Sequence, residues 1–191
     1  MVFSTLSPVN EGDDKLLSDL PDCTHGLVVA LEDADFGASD NTGWQENYPS
    51  DTSVSDWLIE EHDYRKLTDQ ELLCGYSNTL MIKAYNESHP ESKVLITDKA
   101  PSIVLPQGTS GWYVPSYAEL ILLKQSLAQL QQNGFEIDAT WNGETSNDGY
   151  YWSSTEDGYT AADAVHMAPH SSGVFNKIKS KNYKVRYIFA F

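Results

Sequence analysis

The string Gly111-Trp112-Tyr113-Val114-Pro115-Ser116-Tyr117-Ala118-Glu119-Leu120 constrains this chain more than any other. Ser116 is placed as a helix N-cap, its hydroxyl accepting from a backbone N–H one turn on. Glu119 lies three residues later and can reach back to the N-cap N–H, which completes a capping box. Pro115 keeps the preceding chain extended. Leu120, Leu123, Leu127 and Leu130 then recur at helical spacing and form one apolar stripe. Asn133-Gly134 supplies a left-handed stop, so the spacing predicts a helix over 117–132.

A second string, Tyr151-Trp152-Ser153-Ser154-Thr155-Glu156, follows, and the chain closes on Lys184-Val185-Arg186-Tyr187-Ile188-Phe189-Ala190-Phe191. Together with Cys23-Thr24-His25-Gly26-Leu27-Val28-Val29-Ala30-Leu31 and Gly75-Tyr76-Ser77-Asn78-Thr79, these strings resemble the Lcl-type C-terminal domain and the Fibrobacter major paralogous domain. The resemblance runs from about residue 20 to the end. It implies a C-type-lectin-like fold of the formylglycine-generating-enzyme subclass: α+β, with two helices around a small, mostly antiparallel twisted sheet with long loops. A fold of this kind serves adhesins, phage tips and enzymes alike, so it names no function by itself.

The rest of the chain reads as one domain, 1–191. Leu27–Leu31 is a short buried strand bounded by Gly26 and an acidic loop. Residues 32–56 are rich in Asp, Ser, Thr, Asn and Gly and read as a long surface excursion, with Trp44 and Trp57 tucked back. A helix is expected over 75–88, ended by His89-Pro90. Val94–Thr97 and Ile103–Leu105 are candidate strands, Trp141–Asp148 is a polar loop, and strands near 151–154, 163–167 and 183–190 finish the sheet. At 191 residues with 40% hydrophobic content, the chain is large enough to bury a core. No apolar run approaches the roughly 18–20 residues that span a bilayer. The opening Met1-Val2-Phe3-Ser4-Thr5-Leu6 does not read as a signal peptide, and its strand-like character suits a C-terminal fragment of a longer surface protein.

Charge is divided along the chain. The 28 acidic and 12 basic residues give −16. Lys177, Lys179, Lys181, Lys184 and Arg186 lie beyond the last acid, so the first 176 residues hold 28 acids against 7 bases. An acidic body argues against nucleic acid or an anionic membrane as partner. The basic tail reads either as a site for an acidic ligand or as a solvated edge hairpin with lysines blocking edge pairing.

Chemistry is sparse. The formylglycine-generating relatives need two late redox-active cysteines, and no cysteine follows Cys74. No Gly-x-Ser-x-Gly elbow, P-loop or dinucleotide fingerprint occurs. His166 and His170 are four apart, but Pro169 and Gly173 argue against a shared helical face, and Cys23 with His25 lacks zinc spacing. The calcium-binding strings of sugar-binding lectins of this fold, Glu-Pro-Asn or Gln-Pro-Asp with Trp-Asn-Asp, are absent. Trp141-Asn142 is followed by Gly143, leaving only an incidental site among Asn147, Asp148 and Asp157. Trp152 is expected as a core anchor, and Ser153, Ser154 and Thr155 as turn residues bonded to local backbone. Cys23 and Cys74 are either a disulfide, worth about 4 kcal/mol for a loop of about fifty residues, or two buried thiols. No enzyme, cofactor or metal is expected.

What remains is recognition. The resemblance implies a ligand face on the late loops and final hairpin, which here carries Tyr159, His166, His170, Phe175, Asn176, Lys177, Lys179, Lys181 and Tyr183. Aromatics, lysines and amides are the mix that binding surfaces favour. The expected function is a non-catalytic adhesin or fimbrial tip-like domain at the bacterial cell surface, binding a glycan or a host protein. The alternatives are a phage or retroelement-diversified receptor-binding protein, and a structural assembly unit of a surface fibre.

Overall fold

The computed structural model describes residues 1–5, 13–37, 40–47, 53–142, 146–171 and 176–191. In chain order its elements are β1 (Val2–Ser4), α1 (Asp14–Asp19), β2 (Leu27–Val29), α2 (Val54–His62), α3 (Gly75–Ser88), α4 (Tyr117–Gln132), β3 (Tyr150–Glu156), β4 (Ala161–His166), β5 (Asn176–Ile178) and β6 (Ile188–Ala190), with 3₁₀ turns at Lys66–Thr68 and Leu95–Thr97.

Helix α4 is built as its sequence requires. Ser116 Oγ accepts from the Glu119 N–H at 3.3 Å, and the Ser116 N–H donates to Glu119 Oε2 at 2.7 Å. Leu120, Leu123, Leu127 and Leu130 are buried, each contributing about 1.5–3 kcal/mol by leaving water. Gly134 takes a positive φ of 81°, which lets the Phe135 N–H turn back onto the Leu130 carbonyl at 3.1 Å.

Two three-stranded antiparallel sheets form among the described residues, ordered β1-β2-β6 and β3-β4-β5. The apolar side of α4 covers the first sheet, in a core that includes Phe3, Leu27, Val29, Tyr113 and Ile188. A second core gathers Trp44, Leu58, Ile82, Tyr85, Trp152 and Tyr187 beneath α2 and α3. Two tryptophans cross-tie it: Trp44 Nε1 donates to the Ser153 carbonyl and Trp152 Nε1 to the Thr42 carbonyl, at 2.9 and 2.8 Å.

The two diagnostic strings clasp each other. The Ser154 N–H donates to the Pro115 carbonyl at 2.8 Å, and the Tyr117 N–H at the start of α4 donates to Thr155 Oγ1 at 3.0 Å. The closing strand joins them, because Tyr113 and Ile188 exchange N–H···O bonds of 2.9 and 3.0 Å. Ser153, Ser154 and Thr155 are therefore not turn residues. They lie in β3 where its register with β4 shifts between Trp152 and Glu156. Their hydroxyls bond mostly at long range: Ser153 Oγ donates to the Asp163 carbonyl, and Ser154 Oγ faces Asn78 Nδ2.

An α+β arrangement with small antiparallel sheets matches expectation, as do the helices at 75–88 and 117–132. Four α-helices are present among the described residues rather than two, since α1 and α2 gave no strong apolar period. The expected strand at Val94–Thr97 is mostly a 3₁₀ turn, with only Val94 bridged to Gln45. Ile103–Leu105 joins no sheet, and Val104 is 93% exposed. Pro101 and Pro106 bracket it, and proline cannot donate to a ladder. Over 183–190 only Ile188–Ala190 forms a ladder. The earlier residues make single bridges, Tyr183 to Thr42 and Lys184 to Tyr151, because the segment changes partner as it crosses the molecule. Trp44 is tucked back into the body as expected and is fully buried, while Trp57 is half-buried. Cys23 and Cys74 are separate buried thiols, with Cys23 Sγ against the Gly108 carbonyl and Cys74 Sγ against the Lys66 carbonyl.

Candidate functional site

The late residues expected to face a ligand fall into two groups. Tyr159, His170, Asn176 and Lys181 are exposed, and Lys177 is half-buried with its ammonium 4.6 Å from the centre of the Tyr150 ring. His166, Lys179 and Tyr183 are buried and do not reach the surface. Phe175 lies outside the described residues.

Lys179 is the largest departure from expectation. It pairs with Glu156, the last residue of the second string, and neither side chain is exposed. Glu156 also accepts from the Val54 and Ser55 N–H groups, at 3.1 and 2.6 Å, which seats the positive end of α2 on the carboxylate. Gln45 Oε1 and the face of Trp44 complete the surroundings of the ammonium. Burial pulls the Lys179 pKa down, while Glu156 holds it up. A charge enclosed in this way is stable only when fully partnered.

Two other basic residues of the tail also turn inward. Arg186 Nε meets Asp33 Oδ1 at 2.5 Å, and its Nη1 donates to the Ala30 and Leu31 carbonyls. Lys184 lies 3.1 Å from Asp138 and 3.5 Å from Asp33. Three of the five basic groups thus pair with acids of the body, so the tail is not uniformly cationic at its surface; Lys181 is exposed and Lys177 half-buried.

A chain of rings runs from this interior to the surface. Trp152 packs on Tyr183, Tyr183 stacks on Tyr150, and Tyr150 meets His166 edge-on at 4.6 Å. The outer member is Trp141, whose ring contacts His166 edge-on at 4.8 Å while the residue stays 47% exposed. Asp138 fixes the flanks of this ring. Its carboxylate accepts from the Thr140 N–H at 3.0 Å and the Gly149 N–H at 3.2 Å, and Lys184 adds an ion pair. Against the opposing effect of burial, these donors hold its pKa down at about 2. Asp148 Oδ2 accepts from Asn142 Nδ2 at 2.7 Å and Ser146 Oγ at 2.8 Å, which also lowers its pKa. Trp141 read in the sequence only as part of a polar loop. The available signal was a large aromatic set between Thr140 and Asn142 with no apolar neighbour at strand or helix spacing.

His166 is 2% exposed. Its Nδ1 accepts the Ala168 N–H at 2.9 Å, which puts the ring proton on Nε2. Nε2 has no hydrogen-bond partner; the Asp148 backbone faces it outside bonding geometry. Burial, then the Lys124 charge, lowers the His166 pKa, so the ring is neutral at pH 7. His170 is exposed, so the two histidines do not share a buried site. Among the described residues no group of three His, Cys, Asp or Glu is placed to hold a metal ion. None of the described helices is long and apolar enough to cross a membrane.

No protein-family model matches the chain. It is 25% identical over 211 aligned residues to the protein named "Putative fimbrium tip subunit Fim1C" of Bacteroides ovatus. That alignment takes in 97% of this chain and 37% of the relative, so the chain spans well under half of the relative's length. A crystal structure of a fimbrial protein from Bacteroides ovatus superposes with a TM-score of 0.67 at 22% identity, over 94% of this chain and 38% of that one. The two share a fold.

Proposed function

We propose that this chain is a non-catalytic recognition module of a bacterial cell-surface fimbrial protein, binding a glycan or a host protein. The observation that carries this reading is the likeness to a fimbrium tip subunit across 97% of the chain. A tip subunit is the part of a fibre that meets its surroundings first, and rigid scaffolds with exposed loops suit that task. The ligand face is the outer side of the β4–β5 hairpin with the Trp141 region, with Tyr159, His170, Asn176, Lys181 and Trp141 exposed and Lys177 over the Tyr150 ring. The domain is C-type-lectin-like, 1–191 is one such unit, and the remainder of a longer fibre protein is its other partner. The test is an array of glycans and extracellular-matrix proteins, read with and without chelator, using wild type and a His170→Ala/Lys181→Glu variant. Chelator-resistant binding that weakens in the variant is expected. A folded protein that binds nothing on either array sinks the recognition reading.

A second reading, a structural assembly unit of the fibre, is favoured by a different face. Leu31, Ile103 and Val104 are exposed beside an open cleft of about 720 Å³ lined also by Trp112 and Phe189. A cleft that sets these apolar groups among Glu32, Asp33, Asp35, Asp98 and Lys99 suits contact with a neighbouring part of a fibre. Burial of Val104 in an assembled fibre, read by protection from hydrogen exchange in the 101–106 segment, would favour it.

A further inference from the structure

We infer that Trp141 is the stacking platform of a saccharide site that takes a neutral pyranose, with Asn142 and Asp148 as its flanking polar groups. This rests on the recognition reading above and narrows it to one residue and one ligand class.

An indole left half in water forgoes a large transfer free energy, and aromatic side chains of this size dominate binding surfaces for that reason. Trp141 is also not a loose surface ring. His166 supports it from beneath, Tyr150 supports His166, and Asp138 ties the backbone at Thr140 and Gly149. A ring held before the ligand arrives loses little freedom on binding.

The second observation lies under the platform. His166 is buried, and its Nε2 donor lacks an acceptor. An unpaired buried donor costs about 1–3 kcal/mol, and such groups call for an explanation in a native fold. The glycine that covers this edge fits only because it has no side chain. A Cβ on Gly149 would stand 3.0 Å from His166 Nε2 and 2.8 Å from its Cε1. The ring support is thus assembled at a cost in polar satisfaction, directly below the exposed indole. The enclosed His166 ring thus holds the underside of the indole in place and is not itself a contact for the ligand.

The polar rim selects the ligand class. Asp148 is exposed, and its hydrogen bonds keep it ionised. A carboxylate bonded to the amide of the residue that follows Trp141 suits a ring that has C–H groups on one side and hydroxyls at its edge. The same carboxylate, on a body carrying 28 acids, repels sialylated, uronic or sulfated sugars. Neutral hexoses and N-acetylhexosamines fit.

The experiment titrates methyl glycosides of neutral hexoses and N-acetylhexosamines, beside sialylated and sulfated glycans, into the intact protein in chelator. Wild type, Trp141→Phe, Trp141→Ala and Lys181→Glu are compared by binding and by tryptophan fluorescence, the four remaining tryptophans reporting that the variants are folded. Expected are binding to neutral glycosides, a fluorescence change lost in both Trp141 variants, and a loss of affinity of about tenfold or more in Trp141→Ala. The Lys181→Glu variant weakens binding by less than Trp141→Ala does. If Trp141→Ala binds unchanged while Lys181→Glu fails, the Trp141 site is wrong and the recognition reading survives. Binding confined to sialylated or sulfated glycans overturns the ligand class. Binding to a matrix protein with silence toward every glycan overturns the saccharide, and silence toward both overturns this inference together with the reading beneath it.

Discussion

Lys179 and Glu156 form an ion pair with both side chains removed from solvent, and the same carboxylate receives two backbone N–H groups from the first turn of α2. The pair therefore joins the β5 hairpin, β3 and α2 at one point. Replacing Lys179 by Met leaves a buried anion with only its backbone donors, and a loss of about 3–5 kcal/mol is expected. Urea denaturation of the K179M variant measures this, and a loss below 1 kcal/mol would mean that the knot is not structural. The Lys181→Glu change, two residues on and exposed, should stay within about 0.5 kcal/mol of wild type.

Stability should depend on pH through Asp163. Burial pushes its pKa from 3.8 to about 6, and Oδ1 has no partner while Oδ2 accepts from Gln70 at 2.9 Å. The folded state holds the proton where the unfolded chain has released it, so ionisation above about pH 4 works against the fold, fully so above pH 6. Asp163→Asn removes that cost and keeps an acceptor for Gln70. The variant should gain up to about 3 kcal/mol on wild type between pH 4.5 and pH 7.5. Equal offsets at the two pH values would be inconsistent with this.

Glu119 adds to the same slope. Burial raises its pKa to about 7, against the pull of the hydrogen bonds from Ser116 and Tyr113. Its ionisation therefore lowers stability as pH rises from 4.5 toward 7. His166 opposes it over part of that window, since its pKa is depressed below 6.5 and protonation is disfavoured in the fold. Asp138 acts at the acid end, where its stabilising contribution is complete above 3.8 and is lost toward pH 2. The melting temperature should peak in mildly acidic buffer and decline toward neutrality; a steady rise from pH 5 to 7.5 would contradict the assignment.

Gly75 begins α3 directly against the capping box of α4. A Cβ there would lie 2.7 Å from the Ser116 N and the Val114 carbonyl, and closer still to Glu119 Oε2. Gly75→Ala should cost about 2–3 kcal/mol through overpacking of backbone that cannot retreat. Gly108→Ala serves as a contrast: its φ is positive, unlike that of Gly75, and a Cβ there meets nothing within 4 Å. Calorimetry on the two variants separates packing from backbone strain.

Both thiols should be silent toward a thiol reagent in the native protein and titrate as two equivalents in denaturant, because Cys23 and Cys74 are buried and unpaired. Burial also raises both pKa values, which suppresses the reactive thiolate. Reductant should leave the unfolding midpoint unchanged.

The helices at 75–88 and 117–132 were legible because caps and apolar period are written within one short stretch of chain. The fate of the basic tail was not. Lys177, Lys179 and Lys181 are indistinguishable by local pattern, and only Glu156, twenty-three residues away, with the N-terminus of α2 over a hundred away, makes the middle one internal. The hydroxyls of Ser153, Ser154 and Thr155 misled for a related reason: small polar residues suit turns, but here they line a buried strand facing Asn78, Tyr117 and Asp163. Trp141 was legible only as an aromatic without a local reason to be there. Its supporting ring, His166, comes from the far end of β4.

Because Lys179 is bolted into the interior, its exposed neighbours on either side are carried on a fixed frame. Asn176, Ile178, Ser180, Lys181 and Asn182 face water, while the residue between them holds the hairpin down. Such a frame separates what a surface presents from what keeps it in shape. The outward positions form a natural set for randomisation in a display library, provided that the lysine in their midst is left alone.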